Sequence, residues 1–245
     1  MKNVDALLFD VFGTIVDWRC GVAEFVSRKI GLVDPYEFAD AWRREYQPAM
    51  AMVRSGAREY VPLDVLHREN LNKVLATFWV EMAEDERDDL NRAWEQMPPW
   101  AASCADLSRL KRQFIIAPCS NGSITMMTRL ARYAQLPWDC VLGAGIAKAF
   151  KPEPRAYLES VGALGLPAHR VMMVPAHNSD LAAAQAQGLA TAFVPRRTEY
   201  GFTQATDLEP TGDWDICAES LGELADQLEA MGPKHPLGQT QRDLH

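Results

Sequence analysis

Residues 6–18 read "ALLFDVFGTIVDW". The run from Ala6 to Phe9 is apolar, ends on Asp10, and is followed by Gly13. A short continuous apolar stretch closed by a glycine turn reads as a buried strand of a parallel sheet. A carboxylate taken out of water is costly unless paired, so an idle acid at that strand end is disfavoured. Asp10 is therefore read as a functional group rather than a turn cap. The residue two places on is Phe12, not a second acid. Gly13 permits the tight turn that follows.

Beyond this strand, from about Trp18 to Met97, the pattern is helical: "GVAEFVSRKIG", "FADAWRREYQPAMAMVR", "REYVPLDVLHRENLNKVLATF" and "ERDDLNRAWEQM" carry apolar residues at a spacing near 3.6. Pro98 and Pro99 end the run. Strands and helices then alternate. "QFIIAPCSN", "CVLGAG", "RVMMVPA", "ATAFVP" and a weak "DICAES" read as strands. "SITMMTRLARYAQL", "PRAYLESVGALG", "SDLAAAQAQG" and "LGELADQLEAMG" read as helices. Alternation of this kind implies an α/β fold, a Rossmann-like doubly wound parallel sheet with helices on both faces. The expected division is an α/β core over residues 1–16 and 98–231, an inserted helical cap over 17–97, and a loose polar tail over 232–245.

Composition narrows the function classes. The chain has 245 residues, of which 48% are apolar, enough for a full core. A net charge of -8 argues against nucleic acid or anionic membrane as partner. No apolar run reaches the length of a bilayer span, and no long apolar signal region precedes Asp5. Cys20, Cys104, Cys119, Cys140 and Cys217 are scattered and form no C-x-x-C pair. They suggest reduced thiols in a cytoplasm. His67, His169, His235 and His245 show no metal-ligand spacing.

Ligands of doubly wound sheets bind outside the carboxyl ends of the strands. There lie Asp10 after the first strand, Ser120-Asn121-Gly122 after the second, Lys151-Pro152 after the third and Asp180 after the fourth. These polar strand ends converge on one crevice beneath the insert.

The segments "FDVFGT", "CSNG", "FKPEPRAY" and "PAHNSD", in this order and at fitting distances, resemble the haloacid dehalogenase superfamily. Most of its members are magnesium-dependent phosphatases with a second Asp two residues after the nucleophile. That acid protonates an alkoxide leaving group, and further acids near the fourth strand help to hold the metal. Phe12 occupies the second-acid position here, and "VPAHNSD" offers only Asp180. A halide leaves without a proton, so Phe12 suits carbon–halogen cleavage. The chain is most similar to the type II (S)-2-haloacid dehalogenases.

That resemblance implies Asp10 as nucleophile, an aspartyl-ester intermediate and hydrolysis by water, with no metal and no cofactor. It implies Lys151 as the cation that keeps Asp10 ionised, Asp180 as the group orienting Lys151 and activating water, and Tyr157 as a tyrosine near the site. Thr14 would hold the Asp10 loop. Arg43, from "AWRR", and Asn121 would bind the departing halide. Ser120, Lys151 and the backbone N–H groups of Val11 and Phe12 would cradle the substrate carboxylate. Arg44 adjoins Arg43, and only one of the two can face the cleft easily.

The chain departs from the family where Pro175, Ala176 and His177 precede Asn178, and where Ser179 replaces a bulky aromatic. His177 or Asn178 would supply the missing hydrogen bonds, though His177 has no visible partner in the sequence. Trp42, Tyr46, Met50 and Val53 read as cap packing that could also shape an apolar pocket wall, and "VPRRTEYG" as a cationic segment, either a solvated loop or a lining of the entrance. Small haloacids are the expected substrate class, fluoroacetate among them, and a homodimer is expected from the resemblance. The rival readings are a small-molecule phosphatase lacking the usual second acid and a non-catalytic binding protein on the same scaffold.

Overall fold

The computed structural model describes residues 3–231; the tail read at 232–245 lies outside the described residues. In chain order come β1 (Ala6–Phe9), α1 (Trp18–Lys29), α2 (Pro35–Arg44), α3 (Tyr46–Arg54), α4 (Leu63–Thr77), α5 (Glu84–Asn91), α6 (Ser103–Leu110) and β2 (Ile115–Ser120). Then follow α7 (Ile124–Ala134), β3 (Leu142–Gly143), α8 (Ala144–Ala147), α9 (Pro154–Ala163), β4 (Val171–Val174), α10 (Asn178–Ala186), β5 (Ala190–Phe193), β6 (Ile216–Cys217) and α11 (Leu221–Ala230). The six strands form one parallel sheet in the order β3-β2-β1-β4-β5-β6. The fold is thus the α/β arrangement expected, with a helical insertion between β1 and the rest of the sheet.

The apolar β1 lies in mid-sheet, flanked by β2 and β4, with Phe9 beside Pro118 and Val174. Its side chains alternate between two cores, as the period of two demands. Leu7 and Phe9 join the larger cluster, which continues into the helical insertion. Ala6 and Leu8 join a smaller one with Tyr157, Val161 and Ala184 of α9 and α10. The chain builds outward from β1 to β3 on one side, then crosses back to lay β4 against the other side of β1. The mouth between the ends of β1 and β4 is therefore the point where strand order reverses, the usual ligand position.

The insertion leaves and rejoins the core through a narrow neck. Val16 bridges Pro99, Asp17 N–H donates to Pro98 O at 2.9 Å, and Trp100 N–H donates to Ile15 O at 3.0 Å.

Several elements differ from their expected form. The run 38–54 is two helices broken at Glu45, because the ring of Pro48 clashes with the carbonyl four residues back, that of Arg44. The third helical run begins at Leu63 rather than Arg58, since Pro62 disfavours helical backbone at Val61. The last run closes as a 3-10 turn, Arg92–Glu95. The expected strand at 140–145 is only Leu142–Gly143, and α8 follows at once. Gly143 has φ +100°, and a Cβ there would meet the Ser120 carbonyl oxygen at 2.2 Å. Helix α6 carries no side-chain cap and starts from a left-handed Ala102, so it lacks the usual start signal.

Candidate active site

Asp10 follows β1 directly, and its backbone N–H donates to Val174 O at 3.3 Å. The loop behind it folds back, with Ile15 and Val16 N–H both donating to Val11 O. This turn brings Thr14 under the carboxylate, where its hydroxyl donates to Asp10 Oδ2 at 2.8 Å. The same hydroxyl oxygen accepts the Ala176 N–H at 2.9 Å, so Thr14 ties the ends of β1 and β4 together.

Lys151 arrives from the loop after α8. Its Nζ lies 2.9 Å from Asp10 Oδ1 and 2.5 Å from Asp180 Oδ2. Tyr157, on α9, donates its hydroxyl to Asp180 Oδ1 at 2.5 Å. Asn121 accepts the Lys151 backbone N–H at 2.7 Å and donates to the Tyr46 hydroxyl at 3.0 Å. Asp10, Lys151 and Asp180 are each buried, and burial alone would discharge Asp10 and Lys151. Burial raises the Asp10 pKa, but the charges of Lys151 and His177 outweigh it and hold the carboxyl well below its ordinary range. Burial likewise lowers Lys151, yet Asp10 and Asp180 carry it above the usual lysine value. Burial and Asp180 both push Tyr157 far up, so its hydroxyl keeps its proton.

These groups open onto a cavity of about 270 Å³ lined by Asp10, Phe12, Arg43, Tyr46, Lys151 and Tyr200, among others. Phe12 is buried and meets Trp94 edge-on at 5.9 Å between ring centroids. Arg43 faces this cavity, its guanidinium 4.1 Å from the Tyr46 ring centroid and 5.2 Å from that of Trp18. Its Nη1 is buried without a hydrogen-bond partner. Arg44 lines only a neighbouring cavity and is exposed.

His177 has partners that its surroundings in sequence conceal. Its Nδ1 lies 3.3 Å from Asp10 Oδ2 and its Nε2 lies 2.8 Å from Glu199 Oε2. The other Glu199 oxygen accepts the Trp18 indole N–H at 2.8 Å. Burial lowers the His177 pKa, but Glu199 and Asp10 more than compensate and raise it well above the ordinary histidine value.

Two expected site residues, Asn178 and Ser120, need correction. Asn178 does not turn to the cavity: its amide donates to Asp207 Oδ1 and Glu209 O and accepts from Thr211 N and Trp214 Nε1, fixing the 207–214 loop. Ser120 is fully buried beneath the site, and its hydroxyl oxygen accepts the Gly122 N–H at 3.1 Å. Val11 keeps its side chain in the core, which leaves its expected part in the site to its backbone N–H. Of its two readings, the segment 194–201 takes the one that lines the site. Glu199 is buried, Tyr200 lines the cavity, and Arg196 donates to Thr14 O at 2.8 Å. Tyr46, read as packing, also lines the cavity. No local pattern distinguishes Glu199 from a surface acid, because its partners stand 22 and 181 positions away.

The residues present do not fit a magnesium site of the superfamily's kind. Phe12 supplies no oxygen where the second acid would stand, and the Lys151 ammonium already bonds both Asp10 and Asp180.

The family model of the haloacid dehalogenase-like hydrolases matches residues 4–188. The crystal structure of a defluorinating L-2-haloacid dehalogenase is 46% identical, with a TM-score of 0.91 over 92% of this chain and 95% of that one. An L-2-haloacid dehalogenase structure is 40% identical, with a TM-score of 0.89 over 92% and 99%. The (S)-2-haloacid dehalogenase of Xanthobacter autotrophicus is 28% identical over 201 residues, 80% of this chain and 77% of its own. With the sheet order, the Asp10 strand end and the insertion already in place, these matches make the chain a member of the haloacid dehalogenase-like hydrolase family.

Proposed function

We propose that this enzyme hydrolyses short (S)-2-haloacids and haloacetates to 2-hydroxy acids through an ester on Asp10. The observation that carries this is the state of Asp10: a buried, ionised carboxylate against Lys151, facing a small cavity whose wall has Phe12 in place of an acid. A carboxylate so held is a nucleophile, and the absent acid leaves only leaving groups that need no proton.

Asp10 attacks the halogen-bearing carbon from the side opposite the halogen, and the halide departs toward Arg43 and Asn121. The Arg43 guanidinium, buried with an unpartnered N–H between two aromatic rings, suits a diffuse anion. Lys151 sits where it balances Asp10 before attack and the substrate carboxylate afterwards. Asp180, held by Lys151 and Tyr157, stands close enough to take part in activating water for the second step. The names of the similar proteins support the substrate class, and that of the defluorinating relative supports including fluoroacetate in it. The insertion, residues 17–97, acts as the cap over this site. A homodimer, which sedimentation would test, and a cytoplasmic location complete the reading.

Single-turnover hydrolysis of chloroacetate in heavy-oxygen water tests the route. The solvent oxygen is expected first in Asp10 and only in later turnovers in glycolate. Label appearing directly in glycolate would overturn it.

A further inference from the structure

Displacement of halide uses Asp10 and the cations around it and leaves the buried pair His177–Glu199 without a task. Glu199 is 1% exposed, and its two oxygens hold the Trp18 indole and the His177 ring. It occupies space that only a glycine at position 13 leaves open, since a Cβ there would stand 2.1 Å from Glu199 Oε1. With Glu199 at Nε2 and Asp10 at Nδ1, the ring has an anion at each nitrogen. Both nitrogens therefore carry protons, and such a ring has no lone pair with which to act as a base. Its Nδ1 stands 3.3 Å from Asp10 Oδ2.

The two Asp10 oxygens are unequal. Oδ1 faces one donor, Lys151, while Oδ2 faces two, the Thr14 hydroxyl and His177. An oxygen that already holds two donors is the weaker nucleophile and the better seat for a developing negative charge.

Resting on the ester route above, we propose that Oδ1 bonds to the substrate carbon and that Oδ2 becomes the ester carbonyl oxygen, its oxyanion hole formed by Thr14 and His177. Glu199 is the positioning residue that keeps the ring in place. Water adds to Cγ, and the carbonyl electron pair moves onto Oδ2, where the two donors meet it. The pair returns as the Cγ–Oδ1 bond breaks. Oδ1 departs as the hydroxyl oxygen of the product with one of the two water protons. The other proton passes to solvent as the Asp10 carboxylate re-forms. The 3.3 Å separation of His177 from Oδ2 suits a contact that tightens only when charge develops.

Rapid-quench single turnovers of chloroacetate, following chloride and intact protein mass together, separate the steps. In His177→Ala, chloride release is expected to stay within about tenfold of the parent while ester decay slows roughly 10²–10³-fold. Protein carrying one carboxymethyl group then accumulates. Ester decay at the parent rate, or an equal fall in both steps, would overturn the proposal. A parent enzyme that forms no ester would instead overturn the route beneath it. Glu199→Gln removes the anion at Nε2 and keeps the shape. The remaining charged or titratable groups around His177 are Asp10, Arg43 from α2, Tyr200, Asp207 and the Lys151–Asp180 pair. Ester decay in Glu199→Gln is expected to fall as pH rises through neutrality, where the parent stays flat. A pH-independent decay in that variant would remove Glu199 from its role.

Discussion

At the scale of single residues, the site is a set of charged groups buried against one another. Asp10, Asp180 and Glu199 are faced by Lys151, His177 and Arg43, so each substitution exposes a partner as well as removing a group. Asp10→Asn is expected to lower chloride release by on the order of 10⁴-fold or more, as loss of a nucleophile does; a halide-selective electrode would read it. Phe12 bears on specificity differently. It lines the cavity with its ring edge-on to Trp94, so Phe12→Asp places a carboxylate where a buried aromatic ring was. That variant is expected to lose about 3–5 kcal/mol in urea unfolding and to gain no phosphatase activity toward p-nitrophenyl phosphate. Asp10 was legible in the sequence because an apolar strand running into an acid is a local pattern. Lys151 and Asp180 were legible only as strand-end residues whose positions resemble a family. Glu199 was not legible, since an acid among arginines gives no sign that the chain will bury it against His177.

At the scale of elements, short helices and turns place these residues, and they join through few contacts. Ser123, the N-cap of α7, accepts Met126 N–H and donates its hydroxyl to Asp64 in the first turn of α4. This bond crosses from the core to the insertion. Asp64→Ala is expected to cost about 1–2 kcal/mol of stability, measured by thermal unfolding, because it removes a charge-assisted acceptor from a buried hydroxyl. The periodicity of 3.6 made four helical runs plain where five helices, α1 to α5, stand, because breaks turned on prolines whose effect reaches residues before them, as Pro48 acts on Arg44. Helix α6 escaped notice because Ala102 supplies none of the side-chain chemistry that usually opens a helix.

At the scale of the whole molecule, stability and pH are linked through the buried charges. The Asp10 value is depressed, so its contribution to stability is present above about pH 4 and is lost as pH falls toward its folded value. The Lys151 value is raised, so its contribution is full below about pH 10 and is lost as pH rises beyond that. The His177 value is raised as well, so its contribution is full below about pH 6.5 and is lost as pH rises beyond that. Urea midpoints measured across pH are expected to be highest between about pH 4 and 6.5 and to decline on either side, and Lys151→Met is expected to weaken the dependence on the acid side. The parallel sheet was legible as alternation along the chain, but the order of its strands was not, since alternation alone does not fix which side of β1 the chain rejoins. A consequence of the Gly13–Glu199 fit concerns how such a molecule can drift. Neither position has a neutral path of its own: a side chain at 13 collides with the acid, and a shorter acid at 199 releases the histidine. Laboratory evolution that randomises one codon at a time will find both immutable, while paired libraries open compensated combinations and expose their epistasis.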